Sequence, residues 1–261
     1  MSVTTLDPIE LIGFANELAD TARSVAMKYF RRHVAVAHKA DDSPVTIADR
    51  ETESVLRALI HERFPDHGLF GEEHGREGEG QTYTWVIDPI DGTKSFITGV
   101  PLFGTLIALL AKNQPILGVV EMPALGERWL GAAGHKTTFN GTACETSHCE
   151  QLNKASLFAT SIDIFQAADR RRFDALSIAT HFRRFGIDCY AYGLLASGFV
   201  DLVAEADLKP YDYLALVPVI EGAGGRISDW NGAPLGLHSD GRVVAAATPT
   251  LHSRALELLS D

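Results

Sequence analysis

The sequence predicts a mixed α/β protein, because three stretches of the chain carry three different patterns. The N-terminal stretch has apolar residues at helical spacing, and the middle has short apolar runs separated by turn residues, as in an antiparallel meander. After about Lys154, strand and helix patterns alternate, which is typical of an α/β arrangement. The change of pattern between Gly141 and Asn153 predicts two subdomains, residues 1–150 and 151–261.

Two helices are predicted in the N-terminal stretch. Asp7-Pro8-Ile9-Glu10 offers an N-cap carboxylate and a proline in the first turn, and apolar residues then keep helical spacing to about His33. Thr46-Ile47-Ala48-Asp49 has the form of a capping box for a second helix, which Pro65-Asp66 ends. The polar segment from His38 to Pro44 predicts a loop between the two helices.

The middle of the chain predicts strands joined by polar turns. The predicted strands are Tyr83 to Asp88, Gly104 to Ala111, Ile116 to Glu121 and Arg128 to Ala132. Before them, the segment from Leu69 to Glu73 is predicted as a loop leading to the first strand. The glycine-rich and charged segment from Gly75 to Gln81 is predicted as an exposed loop.

The C-terminal stretch predicts strands that alternate with helices. The predicted strands are Leu157 to Thr160, Val200 to Glu205, a short one near Arg226, and Val243 to Ala246. The predicted helices are Ala167 to Phe182, Cys189 to Ser197, Tyr211 to Ala223, and a last one from Thr250.

Composition limits the classes of partner and location. The chain has 261 residues and a formal net charge of -11, which disfavours nucleic acid because phosphate backbones are met by basic patches. Bound cations would still let an acidic protein take a phosphate ester. Met1 to Pro8 lack the basic and apolar parts of a signal peptide, and the longest strongly apolar run, Leu106 to Ala111, suits a buried strand rather than a membrane span. Three cysteines do not make a disulfide framework, so the sequence predicts a cytoplasmic protein.

The motif with the clearest chemistry is Asp88-Pro89-Ile90-Asp91-Gly92-Thr93. An apolar strand ends in a carboxylate, proline forces a turn, and a second carboxylate follows, so both can point at one place with the Ile90 carbonyl between them. These oxygen ligands suit Mg²⁺, and a helix opening at Gly92-Thr93 would favour a phosphate. Taken alone, the motif is explained equally well as a tight turn with N-capping aspartates.

Two further carboxylate segments are ambiguous when each is taken alone. Gly71-Glu72-Glu73 is explained by a solvated acidic turn, and Asp212 is explained by a cap in the first turn of a helix. Together with the first motif and with Gly222-Ala223-Gly224-Gly225, they resemble the signature set of the inositol-monophosphatase superfamily in order and spacing. The resemblance covers nearly the whole chain. It implies a layered α/β/α/β/α sandwich, hydrolysis of phosphate monoesters with two or three Mg²⁺ ions, and a homodimer.

Matching the chain to the superfamily position by position implies a role for each site residue. The implied metal ligands are Glu72, Asp88, Asp91, Asp212 and the carbonyl of Ile90. The implied catalytic residues are Thr93 and Asp49, a hydroxyl–carboxylate pair that orients or deprotonates the attacking water, with Glu72 as the alternative base. The amides of Gly92 and Thr93 are expected to hold the phosphate, and Asp212 to lie on the side of the departing alkoxide.

Several departures from the inositol-phosphatase pattern resemble the histidinol-phosphatase branch. Lys94-Ser95-Phe96 stands where inositol phosphatases usually have Thr-Asn-Phe, and Tyr211 stands where they usually have Trp. Asp188 stands where they usually have a small residue. Glu205 is not a departure, because it stands where the family commonly has a glutamate that touches the substrate, and it discriminates little by itself. Histidinol phosphate carries an ammonium group and an imidazole, so carboxylates suit its leaving group. Asp188 is explained equally well as the N-cap of the helix that begins at Cys189.

The resemblance therefore predicts an enzyme that hydrolyses L-histidinol phosphate to L-histidinol and phosphate in histidine biosynthesis. Two alternatives stay open. One is an inositol-1-phosphatase or broad-specificity sugar phosphatase on the same scaffold. The other is a non-catalytic regulator that binds metal or phosphate.

Overall fold

The computed structural model of the chain describes residues 7–33, 35–38 and 44–260. Residues 1–6, which are most of the N-terminal segment predicted not to be a signal peptide, and residues 39–43 of the predicted polar loop lie outside the described residues. Within the described part of the chain, no helix is long and apolar enough to cross a membrane.

The described residues form α-helices of very different lengths. They are α1 Pro8–Tyr29, α2 Ile47–Arg63, α3 Thr93–Ile97, α4 Ala167–Ala179, α5 Tyr190–Ala196, α6 Pro210–Tyr213, α7 Leu216–Gly222 and α8 Pro249–Leu259. The two predicted N-terminal caps are confirmed. Asp7 accepts a hydrogen bond from the Ile9 amide, and Thr46 and Asp49 form the reciprocal bonds of a capping box.

The strands form one ribbon and two sheets. The ribbon consists of β1 Val36–His38 and β2 Pro44–Thr46. The eight-stranded sheet consists of β3 Gly68–Gly71, β4 Gly75–Glu77, β5 Tyr83–Asp91, β6 Gly104–Ala111, β7 Gln114–Met122, β8 Glu127–Ala132, β9 Thr138–Phe139 and β10 Thr142–Ala143. The five-stranded sheet consists of β11 Ser156–Ala159, β12 Phe182–Phe185, β13 Leu202–Glu205, β14 Arg226–Ser228 and β15 Val243–Ala246.

The helices and sheets stack in the order α/β/α/β/α, so the predicted layered sandwich is confirmed. Helices α1 and α2 cover one face of the eight-stranded sheet, and α5, α6 and α7 lie between the two sheets. Helices α4 and α8 cover the far face of the five-stranded sheet. In the larger sheet the strands run in the order β10-β9-β8-β7-β6-β5-β3-β4, and β3 and β5 are its parallel pair. The largest apolar cluster lies in the middle layer, where α5 and α7 pack on both sheets.

The middle layer packs tightly because two glycines face it. A Cβ on Gly118 would lie 1.9 Å from the carbonyl oxygen of Ala215, and one on Gly131 would lie 2.2 Å from that of Pro218. Both distances are far below van der Waals contact, so only glycine at these positions lets the backbone around α7 rest on β7 and β8.

Two sequence-based helix predictions are wrong in their details. The helix predicted from Ala167 ends at Ala179, and Phe182–Phe185 is an edge strand whose four side chains are all exposed, so it lacks the alternation that marks a half-buried strand. The helix predicted from Tyr211 is divided into α6 and α7. Pro218 has no amide hydrogen to bond the carbonyl four residues earlier, which interrupts one continuous helix.

Two predicted loops also contain strands. Gly68–Gly71 pairs in parallel with β5, so this part of the loop predicted from Leu69 is strand β3. The exposed loop predicted from Gly75 begins with β4, which pairs antiparallel with β3. These strands are three or four residues long, too short to show a period in the sequence.

Candidate active site

A bulge in β5 brings Asp88 and Asp91 to the same face of the sheet. The strand predicted to end at Asp88 continues to Asp91, and between Asp88 opposite Leu106 and Asp91 opposite Gly104 it contains one residue more than β6. Residues three apart in a regular strand point to opposite faces, and the extra residue reverses this. Both aspartates therefore face the middle layer, and a proline-directed turn at the strand end, as predicted, is not needed.

Hydrogen bonds hold the bulged segment in place. The Ile90 amide donates to Asp88 Oδ1 at 3.0 Å, and the Thr105 hydroxyl of β6 donates to the Pro89 carbonyl at 2.8 Å. The Ile90 side chain is buried in an apolar cluster. This burial and the two hydrogen bonds together hold the segment that carries the Ile90 carbonyl.

Asp212 joins the two aspartates from α6, which contacts β5. One carboxylate oxygen from each of Asp88, Asp91 and Asp212 lies within 4.8 Å of the others. Asp212 Oδ2 also accepts the Lys209 amide at 2.7 Å, so this residue both caps α6 and lies beside the other two aspartates.

Glu72 approaches the same place from β3. The parallel register sets Gly71 opposite Ile87, and the Glu72 amide donates to the Ile87 carbonyl at 3.2 Å. Its carboxylate raises the pKa of Asp88, so the two groups are close, although Glu72 lies outside the tight group of three aspartates.

The electrostatics of this cluster fit a cation. Burial, followed by the charges of Glu72, Asp91 and Asp212, raises the pKa of Asp88 well above its usual range. Burial and Asp188 raise the pKa of Asp91 to about 7, and burial and Asp91 raise the pKa of Asp212. Carboxylates that raise one another's pKa in a buried place are mutually repelling, and a hard divalent cation with oxygen ligands relieves that repulsion.

The predicted hydroxyl–carboxylate pair is also assembled. The Thr93 hydroxyl lies 3.1 Å from the Ile90 carbonyl and 3.5 Å from Asp49 Oδ1. Asp49 Oδ2 accepts both the amide and the hydroxyl of Thr46, at 2.8 and 2.6 Å. Burial raises the pKa of Asp49, and the bonds from Thr46 oppose that rise. Gly92 precedes α3 with a φ of 80°, a backbone conformation that favours glycine.

Asp188 is not the N-cap of α5. The capping position belongs to Cys189, which has no side-chain cap bond, and Asp188 has a φ of 43°. Its Oδ2 accepts the Ser95 hydroxyl at 3.0 Å and would lie 2.9 Å from a Cβ on Gly92. Burial raises the pKa of Asp188, and Ser95 and Lys94 oppose the rise. The carboxylate therefore faces the loop between β5 and α3.

Glu205, at the end of β13, is buried and already bonded at both oxygens. Oε1 accepts the Thr160 amide at 2.7 Å, and Oε2 accepts the Tyr192 hydroxyl at 2.9 Å. Burial raises the pKa of Glu205, and the charges of Glu205 and Asp188 both contribute to the raised pKa of Asp91. Asp188 and Glu205, both from the C-terminal part of the chain, thus lie close enough to Asp91 to influence its pKa.

Several residues at the site were not singled out from the sequence. The sequence predicts Thr46 as a cap but not as the group that holds Asp49, and it gives Ser95 no role of its own. Glu53 belongs to no motif, although it lies four residues after Asp49 on a predicted helix, which is a spacing that places two side chains on one face.

Comparisons with known proteins agree with this geometry. A model of the inositol monophosphatase family matches residues 7–261. The chain is 47% identical to the chloroplastic bifunctional phosphatase IMPL2 of Arabidopsis thaliana, over 99% of this chain and 77% of that protein. It is 38% identical to a histidinol-phosphatase of Chlorobaculum parvum, over 88% of this chain and 90% of that protein. Among solved structures, an inositol monophosphatase from Zymomonas mobilis aligns with a TM-score of 0.90 at 40% identity, covering 98% of this chain and all of that one.

Proposed function

The chain belongs to the inositol monophosphatase family, and from this premise we propose that its substrate is L-histidinol phosphate, which it hydrolyses to L-histidinol and phosphate in histidine biosynthesis. Phosphate monoester hydrolysis with a metal ion is the activity of the family, so the chain is a metal-dependent phosphoric monoester hydrolase. The non-catalytic regulator considered from the sequence is therefore set aside.

We propose that Glu72, Asp88, Asp91, Asp212 and the Ile90 carbonyl hold two or three Mg²⁺ ions. When bound, these ions supply positive charge for the phosphate and make water a stronger nucleophile. Support comes from the carboxylate oxygens of Asp88, Asp91 and Asp212, which lie within 4.8 Å of one another, and from the raised pKa values of the three groups.

In this proposal Thr93 and Asp49 orient the attacking water and accept its proton, with Glu72 as the alternative base. Because Thr46 occupies Asp49 Oδ2, Oδ1 is the oxygen left for the Thr93 hydroxyl. The amides of Gly92 and Thr93 hold the phosphate, and Asp212 stands on the leaving-group side. General base catalysis requires a proton acceptor within hydrogen-bond reach of the attacking water, either directly or through one intervening group. Here the acceptor is the Asp49 carboxylate, and the intervening group is the Thr93 hydroxyl.

The observation that carries the substrate proposal is the placement of the Asp188 carboxylate. It faces Gly92 and Ser95 instead of capping α5, so an anionic group borders the proposed phosphate position. An ammonium group on the alcohol part of the ester would pair with it. Glu205 lies close enough to Asp91 to influence its pKa and adds negative charge on the same side. The histidinol-phosphatase of Chlorobaculum parvum is a relative with this activity in its name.

The similarity to an inositol monophosphatase structure supports a second candidate, an inositol-1-phosphatase or broad-specificity sugar phosphatase. Phosphate release from L-histidinol phosphate and from myo-inositol 1-phosphate, measured side by side with Mg²⁺, separates the two. We expect a large preference in kcat/KM for histidinol phosphate. A preference for inositol phosphate, or none, would contradict the substrate proposal and leave the metal-dependent activity in place.

A homodimer, a cytoplasmic location and the division at about residue 150 stay predictions. The relative in Arabidopsis thaliana is named chloroplastic. Fractionation of the source cell would test the predicted cytoplasmic location of this chain directly. Sedimentation of the purified chain would test the dimer.

A further inference from the structure

Helix α2 has a buried stripe of charged residues on the face toward the site. Asp49, Glu53 and Arg57 follow one another at four-residue spacing, and all three are buried. Residues at this spacing lie above one another on one face of a helix. Burying charged groups is unfavourable unless each finds a partner, so the partners of this stripe indicate what it holds.

The partners of Glu53 are backbone amides of the segment that carries Glu72. Glu53 Oε2 accepts the Glu73 amide at 2.7 Å, and Oε1 accepts the His74 amide at 3.1 Å. A Cβ on Gly71 would lie 2.0 Å from Glu53 Oε1. The missing side chain at position 71 is therefore what lets the carboxylate reach the two amides.

Arg57 completes the arrangement. Its Nε donates to Glu53 Oε1 at 2.7 Å, and its terminal nitrogens bond the Gly75 carbonyl and the Glu77 carboxylate. The turn between β3 and β4 is thus held at residues 73 to 77 by two side chains of α2. On its other side, the Glu72 amide is held by the Ile87 carbonyl of β5.

We propose that Glu53 is a positioning residue that fixes the direction of Glu72. The carboxylate of Glu53 binds the amide next to Glu72 and the amide after that, and in this way sets the backbone from which the Glu72 side chain leaves. This inference rests on the proposed function, because it assigns Glu72 to metal binding. Residues that orient metal ligands commonly change metal affinity or activity by about 10- to 100-fold when they are replaced.

The test is Glu53→Gln in the full chain. The amide side chain keeps the size of glutamate, but it presents a donor where two backbone donors converge. We expect the Mg²⁺ dissociation constant, measured by calorimetry on the metal-free protein, to rise by about tenfold or more. In steady-state kinetics we expect kcat to fall by a similar factor, about tenfold, with KM for the ester nearly unchanged.

Glu121→Gln is the matched control. Glu121 is also fully buried and is bonded to two arginines, Arg23 at 2.5 Å and Arg128 at 2.6 Å. Glu121→Gln disrupts a comparable buried ion-pair network, but this network does not include the amides of residues 72 to 74. We expect it to lower the melting temperature while leaving Mg²⁺ affinity as in the unmodified protein.

Hydrogen–deuterium exchange on the unmodified, metal-free protein tests the proposal independently of whether Glu53→Gln folds. The amides of Glu73 and His74 are expected to exchange slowly, because their acceptor is a buried carboxylate. Fast exchange at both amides would overturn the proposal. So would Mg²⁺ affinity in Glu53→Gln within about twofold of the unmodified protein, well below the change typical of such residues, or an equal loss in Glu121→Gln. If the unmodified chain neither binds Mg²⁺ nor releases phosphate, the proposed function fails as well, and this separates the two cases.

Discussion

The amide of Cys189 donates a hydrogen bond to Oδ2 of Asp91 over 2.8 Å, and this bond joins residues 98 positions apart in the chain. Asp91 ends β5 in the larger sheet, and Cys189 is the N-cap of α5 in the middle layer. The Cys189 thiol is buried over Gly104, where a Cβ would come within 2.5 Å of the sulfur. Asp188 directly precedes Cys189. The position of its carboxylate, which we propose to bind the substrate, therefore depends on Asp91, which we propose to bind metal.

Asp91→Asn is expected to remove activity while the protein stays folded. The change keeps the shape of the side chain and removes one of several mutually repelling buried charges, so the metal-free protein should be at least as stable as the unmodified one. Phosphate release should fall by about 10²-fold or more, on the scale of other losses of transition-state stabilisation. A thermal melt of the metal-free protein and a phosphate assay check both parts. Retained activity would remove Asp91 from the ligand set.

Asp188→Ala is expected to discriminate between esters. If the carboxylate pairs with the substrate ammonium, KM for histidinol phosphate should rise by about tenfold, for a loss near 1.4 kcal/mol. KM for a phosphate ester whose alcohol part carries no charge, such as a sugar phosphate, should rise far less. Ser95→Ala, which removes the 3.0 Å bond that holds Asp188, should give a smaller change in the same direction.

Ser253→Ala serves as the control for these two variants, because its exposed hydroxyl donates to the Pro249 carbonyl within α8, away from the site. Equal effects of Asp188→Ala on phosphate esters with and without an ammonium group in the alcohol part would show that the carboxylate supports the loop rather than the substrate.

His252 predicts an acid-sensitive contribution to stability. Its ring is buried in α8 and lies 2.8 Å from the Ser228 hydroxyl, and burial, together with Arg226, lowers its pKa from 6.5 to about 4. Between these two values the unfolded chain binds a proton that the folded protein does not, so this contribution is full above pH 6.5 and is lost as the pH falls toward 4.

The free energy of unfolding should accordingly fall by up to about 1.4 kcal/mol per pH unit because of this one group. In His252→Gln that part of the slope should be absent, whereas His148→Gln, at an exposed histidine, should keep it. Urea denaturation at several pH values between 4 and 7 measures the slopes. Identical slopes in all three proteins would contradict the prediction.

The sequence was sufficient for the elements whose local chemistry is self-contained. The capping box at Thr46 and Asp49 and the apolar strands of the meander follow from patterns within a few residues. The carboxylate segments that we propose to bind metal are indicated by their joint resemblance to a family signature in order and spacing, although no single segment is decisive.

What the sequence could not supply depends on contacts between distant segments. The bulge in β5 is defined only by its register against β6, and no residue in Asp88 to Asp91 distinguishes it from a turn. Asp188 stands before a predicted helix, where an aspartate is usually an N-cap. Its contacts with Gly92 and Ser95, which lie far away in the sequence, show that it is not. Strand β12 is held by pairing with β11 rather than by a buried face, so its own residues carry no strand pattern.

The extra residue in β5 places sheet regularity and activity in opposition. Deleting Pro89 or Ile90 would let β5 and β6 pair without interruption, and a designer optimising the ladder alone would choose that deletion. The shortened strand would keep both carboxylates on one face, because residues two apart in a regular strand point the same way, but it would lose the bulge that carries the Ile90 carbonyl, a proposed metal ligand. A library screened only for heat resistance would therefore be expected to enrich shortened chains that fold well and lack this ligand.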